Sequence, residues 1–307
     1  MLLWAARRVP QTLLALLGVS VVTFALLMAS GDPMFTLLTE TKGYTAADIS
    51  RIRHQMGFDR PLYVQYGDYL WRVLHGDFGL SMHQGVPAMA LVLERMPATV
   101  QLASSAMVIS VAVSVPVGIV AAMRRNSVYD VTATLGALLG QSMPIFWLGI
   151  LLIQIFGVTL RWFPVSGRGD LWHLAMPAVA LAAFSTAQTA RLVRSSMLEV
   201  LNENYIAVAR GKGVREFTVI VKHALRNALL PVATLLGVQF GSLLTGSIVT
   251  ETVFAWPGVG RLIIQSIANK DFPIVLAGVT VFSLVFVVIN VCMDILYVVL
   301  DPRIAYT

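Results

Sequence analysis

One short stretch of the sequence combines residue types that could bind phosphate. Residues 204–231 read NYIAVARGKGVREFTVIVKHALRNALLP, in which Gly211-Lys212-Gly213 interrupts a helical pattern. A phosphate-binding loop requires an earlier glycine at a four-residue spacing and a serine or threonine after the lysine, and both are missing here. We therefore expect that this chain does not hydrolyse ATP by itself. The pattern instead predicts a basic helix–turn–helix.

Other residue constellations that could do chemistry are missing from the sequence. The five histidines contain no pair at the i, i+4 spacing of two metal ligands on a helix, and no HExxH or GxSxG motif occurs. His75 and His83 are more simply interpreted as solvated loop histidines than as metal ligands. The single cysteine, Cys292, excludes a disulfide framework. We expect no catalytic, metal or cofactor site in this chain.

The composition is that of an integral membrane protein. Of 307 residues, 57% are hydrophobic and 12% are charged, and a soluble protein carries about 25% charged residues. Crossing a bilayer takes about 20 apolar residues. We predict an all-α polytopic membrane protein with six transmembrane helices, at residues 9–29, 98–123, 131–158, 174–190, 229–250 and 273–300. The first apolar run exceeds the about 7–15 residues of a signal-peptide core, so we expect it to be retained.

The distribution of basic residues predicts the orientation. Six spans place both termini on one side of the membrane. Twelve of the 22 Lys and Arg residues fall on the face that holds both termini and the helix–turn–helix. Because basic residues concentrate in cytoplasmic loops, we predict that this face is cytoplasmic. Membrane topology thus accounts for the net charge of +6 without a nucleic-acid partner.

The segment between the first two spans, residues 30–97, contains signals for three short helices. A capping box at residues 45–48 opens a helix that stops at Gly57, a second helix runs from residues 59–61 to Gly76, and a third covers residues 87–96. We predict a compact cap, with an interfacial segment lying on the membrane as the alternative. Farther along, Trp256-Pro257-Gly258 lies between two apolar segments and predicts a partly re-entrant loop.

Polar groups within the predicted spans are mostly neutral. Gln239, Ser242 and Thr245 recur at i, i+3 and i+6, and with Gln141 and Ser142 we predict that they line a translocation pathway. Polar residues of this kind also hold helices together. Only Asp294 lies clearly inside a span, while Glu251 is placed at a span end, so coupling to an ion gradient is not expected.

The chain resembles the first permease subunit of bacterial dipeptide and oligopeptide ABC importers. Residues 204–231 resemble their EAA loop, although Ala207, Val208 and Arg226 stand where the broader consensus has glutamate, alanine and proline. The resemblance rests on segments in conserved order: MGFDRPLYVQY (56–66), HGDFGLS (75–81), ERMPATVQL (94–102), SMPIFWLGILL (142–152), WFPVSG (162–167), HALRNALLP (223–231), TETVFAWPGVGRL (250–262) and LDPRIAY (300–306).

The resemblance implies a type I importer permease fold in the bacterial cytoplasmic (inner) membrane. Span 1 would occupy residues 1–29, the extracytoplasmic cap 30–97, and the permease core 98–307 with the coupling loop at 191–228. It implies a heterodimer with a homologous second permease, two ABC ATPase subunits that bind ATP and Mg, and an extracytoplasmic peptide-binding protein. Tyr205, Ile206 and Ala209 would then form an apolar docking face for the ATPases. Arg210, Lys212 and Arg215 would form its charged rim, around a sharp turn at Gly213.

Three other functions fit the sequence less well. The same machine could carry nickel, an oligosaccharide or another small solute, because the binding protein largely sets the cargo. A proton-coupled secondary carrier is disfavoured by the scarcity of carboxylates within the spans. A membrane scaffold without transport activity would not require a stoichiometric ATPase partner.

Overall fold

The structure, a computed structural model, is mainly helical over the part of the chain that it describes. It describes residues 2–30, 54 and 59–300, and the side chains of residues 10–30, 54 and 59–293. The helices are α1 (Leu2–Ala29), α2 (Leu62–Leu74), α3 (Ala88–Met123), α4 (Val128–Ser142), α5 (Ile145–Leu152, continuing as a π-helix over Ile153–Thr159), α6 (Leu171–Leu201), α7 (Asn204–Gly211), α8 (Glu216–Val253), α9 (Val259–Ala268) and α10 (Phe272–Leu300).

Within residues 2–30 and 59–300, four helices are long and apolar enough to cross a membrane. They are Pro10–Ala29 within α1, α3, α8, and Phe272–Met293 within α10. The bent pair formed by α4 and α5 brings the number to five if it counts as one span. The predicted spans at residues 9–29, 98–123, 229–250 and 273–300 therefore coincide with helices of the expected kind.

The third predicted span is not a single helix. α4 and α5 meet at an angle of 105°, so the single helix predicted over residues 131–158 is instead a bent pair, which counts as one broken span or as a re-entrant loop. The cause lies in Met143 and Pro144. Proline disfavours the helical conformation in the residue before it, and Met143 adopts an extended backbone with ψ of 124°.

The fourth predicted span, residues 174–190, lies within the long helix α6, which is not among the candidate membrane spans. α6 packs against α4, α5 and α8, so many of its side chains contact protein. A helix that is covered by its own chain tolerates polar residues that a lipid-facing helix does not. The count of six spans stays a prediction.

The segment between α1 and α3 differs in part from the predicted cap. The first predicted cap helix, which opens at Thr45 and stops at Gly57, lies outside the described residues. The second is α2, which follows Pro61. The third, predicted at residues 87–96, is not separate, because it forms the first turns of α3.

The chain divides into two units. One comprises Met1–Ala98 and Pro257–Val287, and the other comprises Thr99–Trp256 and Val288–Thr307. In the first unit, buried Asp271 accepts hydrogen bonds from Ser81 Oγ at 2.5 Å and Met82 N at 3.1 Å. These bonds fasten the turn before α3 to the start of α10. The second unit holds α4 to α8, including the helix–turn–helix.

Candidate functional site

The connection between α6 and α8 is the short helix α7 followed by a glycine turn. The amides of Lys212 and Gly213 donate to the carbonyl oxygens of Val208 and Arg210 at 3.0 and 2.9 Å, which closes the helix. Gly213 has φ of +76°, in the left-handed region that favours glycine. A Cβ atom at this position would meet nothing within 4 Å. The backbone angle, rather than a lack of space, therefore requires glycine here.

The second helix of this element is not a separate short helix. The sequence predicted a helix–turn–helix, but the residues after Arg215 form the first turns of α8, which continues to Val253. Its beginning includes a π-helical stretch, Val219–Ala224. The glycine turn is thus joined directly to a candidate membrane span.

A hydrophobic core fixes α7 to its own chain. Ile206 is fully buried, and it belongs to one cluster with Val193 and Met197 of α6 and Val219 and Ala224 of α8. The prediction that Ile206 lies on an exposed docking face is therefore wrong. Ala209 is also partly buried against this cluster. Both residues instead attach α7 to α6 and α8.

The element also exposes three large apolar side chains, Tyr205, Val208 and Phe217, which we call the docking patch. Phe217 is 76% exposed, and Tyr205 and Val208 are also exposed. The Tyr205 hydroxyl accepts a hydrogen bond from Asn227 Nδ2 at 2.8 Å, which links α7 to α8. Sequence reasoning identified Tyr205 but missed Val208, one turn farther on, and Phe217, an aromatic residue among charged neighbours.

The charged residues of the turn play two roles. Arg210 Nε and Nη2 donate to the two carboxylate oxygens of Glu216 at 3.1 and 2.6 Å, and this ion pair raises the pKa of Arg210. The fork closes the turn from α7 to α8. Lys212 and Arg215 are exposed beside it. Of the predicted charged rim, Arg210 is thus engaged within the element.

A buried ion pair that sequence reasoning missed lies near this element. Arg194 Nε and Nη2 donate to Asp130 Oδ1 and Oδ2 at 2.5 and 2.8 Å, and Asn126 N donates to Oδ2 at 2.9 Å. Asp130 is in the first turn of α4, which Ser127 caps. Arg194 follows Val193, a member of the α7 core. The pair therefore connects α4 to the part of α6 that supports α7.

Three of the five predicted pathway residues lie on α8, where one is buried and two are exposed. Gln239 is buried, where Thr189 Oγ1 donates to its side-chain oxygen at 3.0 Å and its amide donates to Gln188 Oε1 at 3.0 Å. It holds α8 against α6 in this chain. Ser242 and Thr245 instead lie on an exposed stripe of α8. Its members follow one another every three or four residues: Val238, Ser242, Thr245, Val249 and Thr252.

The other two pathway residues lie at the bend after α4. Gln141 is half-buried, and exposed Ser142 donates to the Leu138 carbonyl at 2.8 Å. They stand at the end of α4, immediately before Met143 and Pro144.

The last turn of α8 and the turn after it include two buried residues, Glu251 and Trp256. Trp256 is buried, and its amide donates to the Glu251 carbonyl at 2.8 Å. Glu251 is fully buried, and its Oε1 accepts from Thr99 Oγ1 at 2.7 Å and Ser247 Oγ at 3.0 Å. Pro257 and Gly258 then lead into α9. The sequence placed Glu251 at the end of a span. It did not reveal that Glu251 is buried, because burial by neighbouring helices leaves no local signal in the sequence.

Among the residues that the structure describes, no group of three or more His, Cys, Asp or Glu side chains could hold a metal ion. The ion pairs Arg194–Asp130 and Arg210–Glu216 each join two helices. What the element offers is a rigid, partly apolar surface beside a glycine turn. Such a surface suits protein docking better than chemistry.

Comparison with known proteins covers the whole chain. Residues 114–306 match the family described as binding-protein-dependent transport system inner membrane component, and residues 1–103 match its N-terminal counterpart. The chain is 38% identical over 338 residues to the dipeptide transport system permease protein DppB of Escherichia coli (strain K12), covering 100% of this chain and 99% of the relative. It is 42% identical over 309 residues to a putative peptide transport system permease protein of Brucella abortus, covering 98% of each.

Two solved structures share the fold. The inward-facing MetNI methionine ABC transporter aligns with a TM-score of 0.56 at 17% identity, over 69% of this chain and 97% of that chain. An amino acid ABC transporter solved with histidines aligns with a TM-score of 0.53 at 16% identity, over 67% and 92%. At these identities, the similarity concerns the fold alone.

Proposed function

The chain belongs to the family of binding-protein-dependent transport system inner membrane components, and on that premise we propose that it is a permease subunit of an ATP-driven importer of dipeptides and oligopeptides. Membership in this ABC importer family implies ATPase and substrate-binding partners. The peptide cargo is supported by full-length similarity to permeases named for dipeptide and peptide transport.

The geometry of α7 is the observation that carries the proposed ATP coupling. Its buried side is anchored by Ile206 in the core shared with α6 and α8, while Tyr205, Val208 and Phe217 are exposed. An exposed apolar patch with charged Lys212 and Arg215 beside it has the composition of a protein docking site. We propose that two ATPase subunits, which hold ATP and Mg, dock on this patch and on its equivalent in a second permease.

Force would pass from the docking patch into the membrane along two routes. The Arg210–Glu216 fork and the Gly213 turn connect α7 to α8, which is itself a candidate span. The core around Ile206 connects α7 to α6. Movement of the ATPases would thus reorient both long helices, and the pathway would alternate between its two open states.

We propose that the pathway forms between this chain and a homologous second permease. The exposed α8 stripe with Ser242 and Thr245 would contribute one wall, with Ser142 near the α4 bend as a further contributor. Gln239 is buried against α6, so its proposed role is to hold the wall in place. Trp256, Pro257 and Gly258 would shape the extracytoplasmic end of the pathway.

The orientation follows from the basic residues. We propose that both termini and α7 are cytoplasmic, because the predicted face that holds them, with its loops, contains 12 of the 22 Lys and Arg residues. The segment between α1 and α3 is then extracytoplasmic, where a peptide-binding protein would dock.

The proposal is tested by uptake into proteoliposomes. The chain is purified with its co-expressed partners and reconstituted, and uptake of a labelled dipeptide is measured with ATP inside and the binding protein outside. We expect uptake only when both are present. Parallel vesicles receive a pH gradient without ATP, and others receive nickel instead of peptide.

Each outcome separates the alternatives. Uptake driven by the pH gradient without ATP would replace the proposed mechanism with that of a secondary carrier. ATP-dependent uptake of nickel but not of dipeptide would retain the machine and replace the cargo. A complex that purifies without an ATPase would contradict the docking role of α7.

A further inference from the structure

Helix α2 has three distinct faces, and one of them lacks an obvious reason to be apolar. With 3.6 residues per turn, Tyr63, Gly67, Trp71 and Leu74 fall within an arc of about 80°. Three of these side chains are strongly exposed: Tyr63 is 78%, Trp71 67% and Leu74 73% exposed. We call this arc the aromatic face. It requires an explanation because exposed large apolar side chains that cluster on one face mark an interaction site.

A second face of α2 packs on the chain's own spans. The Tyr66 hydroxyl and Ser20 Oγ are 2.7 Å apart, and the Tyr69 ring stacks on Phe24 with centroids 5.9 Å apart. Tyr69 is buried, and the side chain of Thr280 lies beside it. This packing face fixes α2 to both α1 and α10.

The third face is polar and lies roughly opposite the aromatic face. Gln65, Asp68 and Arg72 fall within an arc of about 60°, centred about 130° from the aromatic face. Asp68 accepts from Arg60 Nη1 at 3.1 Å, and Gln65 Nε2 donates to the Arg60 carbonyl at 2.7 Å. A helix that is polar on one side and apolar on the opposite side suits a boundary between water and an apolar phase.

The contacts of the packing face place α2 at the depth of that boundary. Span Pro10–Ala29 has 20 residues, just enough to cross the hydrocarbon core. At 1.5 Å per residue, Phe24 lies about 7 Å and Ser20 about 13 Å inside the Ala29 end, and Thr280 lies about 12 Å inside the Phe272 end of α10. A tyrosine side chain spans only part of these distances. The axis of α2 therefore lies at or below the level at which the two spans leave the membrane.

We propose that α2 is an interfacial helix whose aromatic face is covered by lipid in the same leaflet as the Ala29 end of α1. Two observations favour lipid over a protein partner. The span on which α2 packs, α1, also leaves large apolar side chains exposed, among them Leu17, Val22 and Leu26. Its residue types, tyrosine and tryptophan, are those enriched at the membrane interface. The packing contacts would then fix the depth of the segment between α1 and α3.

The test measures the surroundings of each face by fluorescence quenching. Single cysteines replace Tyr63, Trp71 or Leu74 in a Cys292→Ser chain, are labelled with NBD, and are examined in the assembled complex in nanodiscs. Matched controls carry the label at Asp68 or Arg72, on the polar face of the same helix. Only labelled complexes that elute as the intact assembly are compared.

We expect labels on the aromatic face to show blue-shifted emission, quenching by lipids with a shallow nitroxide and loss of quenching by aqueous iodide. The control labels should show the reverse. Iodide quenching equal to that of the controls would overturn the proposal, because the face would then be in water. Shielding from both quenchers would also overturn it, because a protein partner would then cover the face.

A second measurement avoids new cysteines. In brominated-lipid nanodiscs, the Trp71→Phe complex should lose part of the lipid-quenchable tryptophan emission of the unmodified complex. An unchanged quenchable fraction would contradict lipid contact at Trp71. Both measurements concern the location of α2 alone, so their outcome is independent of the cargo and of the coupling to ATP.

Discussion

The buried pair between Asp130 and Arg194 offers a quantitative test of how α4 is held to α6. In Arg194→Gln, the Asp130 carboxylate would lose both guanidinium hydrogen bonds and would keep the bond from Asn126 N. The carboxylate would remain buried, since its side chain is 6% exposed. An unpaired buried carboxylate is costly because it has lost its hydration without gaining a counter-charge.

The expected magnitude lies between two limits. Breaking a fully buried ion pair costs about 3–5 kcal/mol, whereas an exposed pair contributes about 0–1 kcal/mol. The Arg194 side chain is 30% exposed, so water partly screens the pair. We expect Arg194→Gln to lower the free energy of unfolding by about 2 kcal/mol, and Arg194→Lys by less, because lysine keeps the charge but not the two-pronged geometry.

The assay is a double-mutant cycle measured by equilibrium unfolding in mixed micelles. Asp130→Asn, Arg194→Gln and the double variant are compared, with Arg191→Gln, an exposed residue on the same helix, as the matched control. The double variant should be more stable than the sum of the single losses predicts, by about 1–2 kcal/mol. Additivity within about 0.5 kcal/mol, or an Arg191→Gln loss equal to that of Arg194→Gln, would refute the reasoning.

Three further predictions concern individual positions. Gly213→Ala should lower the free energy of unfolding by about 1–2 kcal/mol and reduce ATP-coupled uptake, because φ is +76° at this position. Gly211→Ala, in a helical position, should be neutral or stabilising in the same unfolding and uptake assays. Gly118→Val should reduce the yield of folded complex in gel filtration, since even a Cβ at Gly118 would lie 2.6 Å from a neighbouring side chain of α6. A normal yield would show that α3 and α6 are farther apart than in this structure. Gln239→Leu should lower the midpoint of thermal unfolding by leaving buried partners without hydrogen bonds, whereas Ser242→Ala should leave it unchanged; equal effects would contradict the different roles assigned to them.

The structural features best predicted from the sequence were those that depend on neighbouring residues. Pro61 and the following amphipathic pattern predicted α2, and Gly211 to Gly213 predicted the end of α7 and the turn after it. These features depend on local backbone preferences, which the sequence records directly. The apolar runs of α1, α3, α8 and α10 were recognisable because lipid-facing helices must be apolar along a whole span.

The rest depends on contacts between distant segments. The burial of Ile206 could not be predicted, because it depends on packing with Val193 and Val219, which lie on other helices. For the same reason, Gln239 was assigned to a pathway although α6 supplies its hydrogen-bond partners. The bend between α4 and α5 was also missed, although its cause, Pro144, is local. The apolar pattern continues across Pro144 and was interpreted as one span.

Photocrosslinking from the docking patch tests the proposed coupling to an ATPase most directly. Benzoylphenylalanine is placed at Val208 or Phe217 in the full complex, with Trp172, an exposed residue at the other end of α6, as the control. Irradiation should link Val208 and Phe217 to an ATPase subunit, whereas Trp172 should give no such product. An ATPase crosslink from Trp172 alone, or none from Val208 and Phe217 in a complex that still imports peptide with ATP, would contradict the proposed coupling.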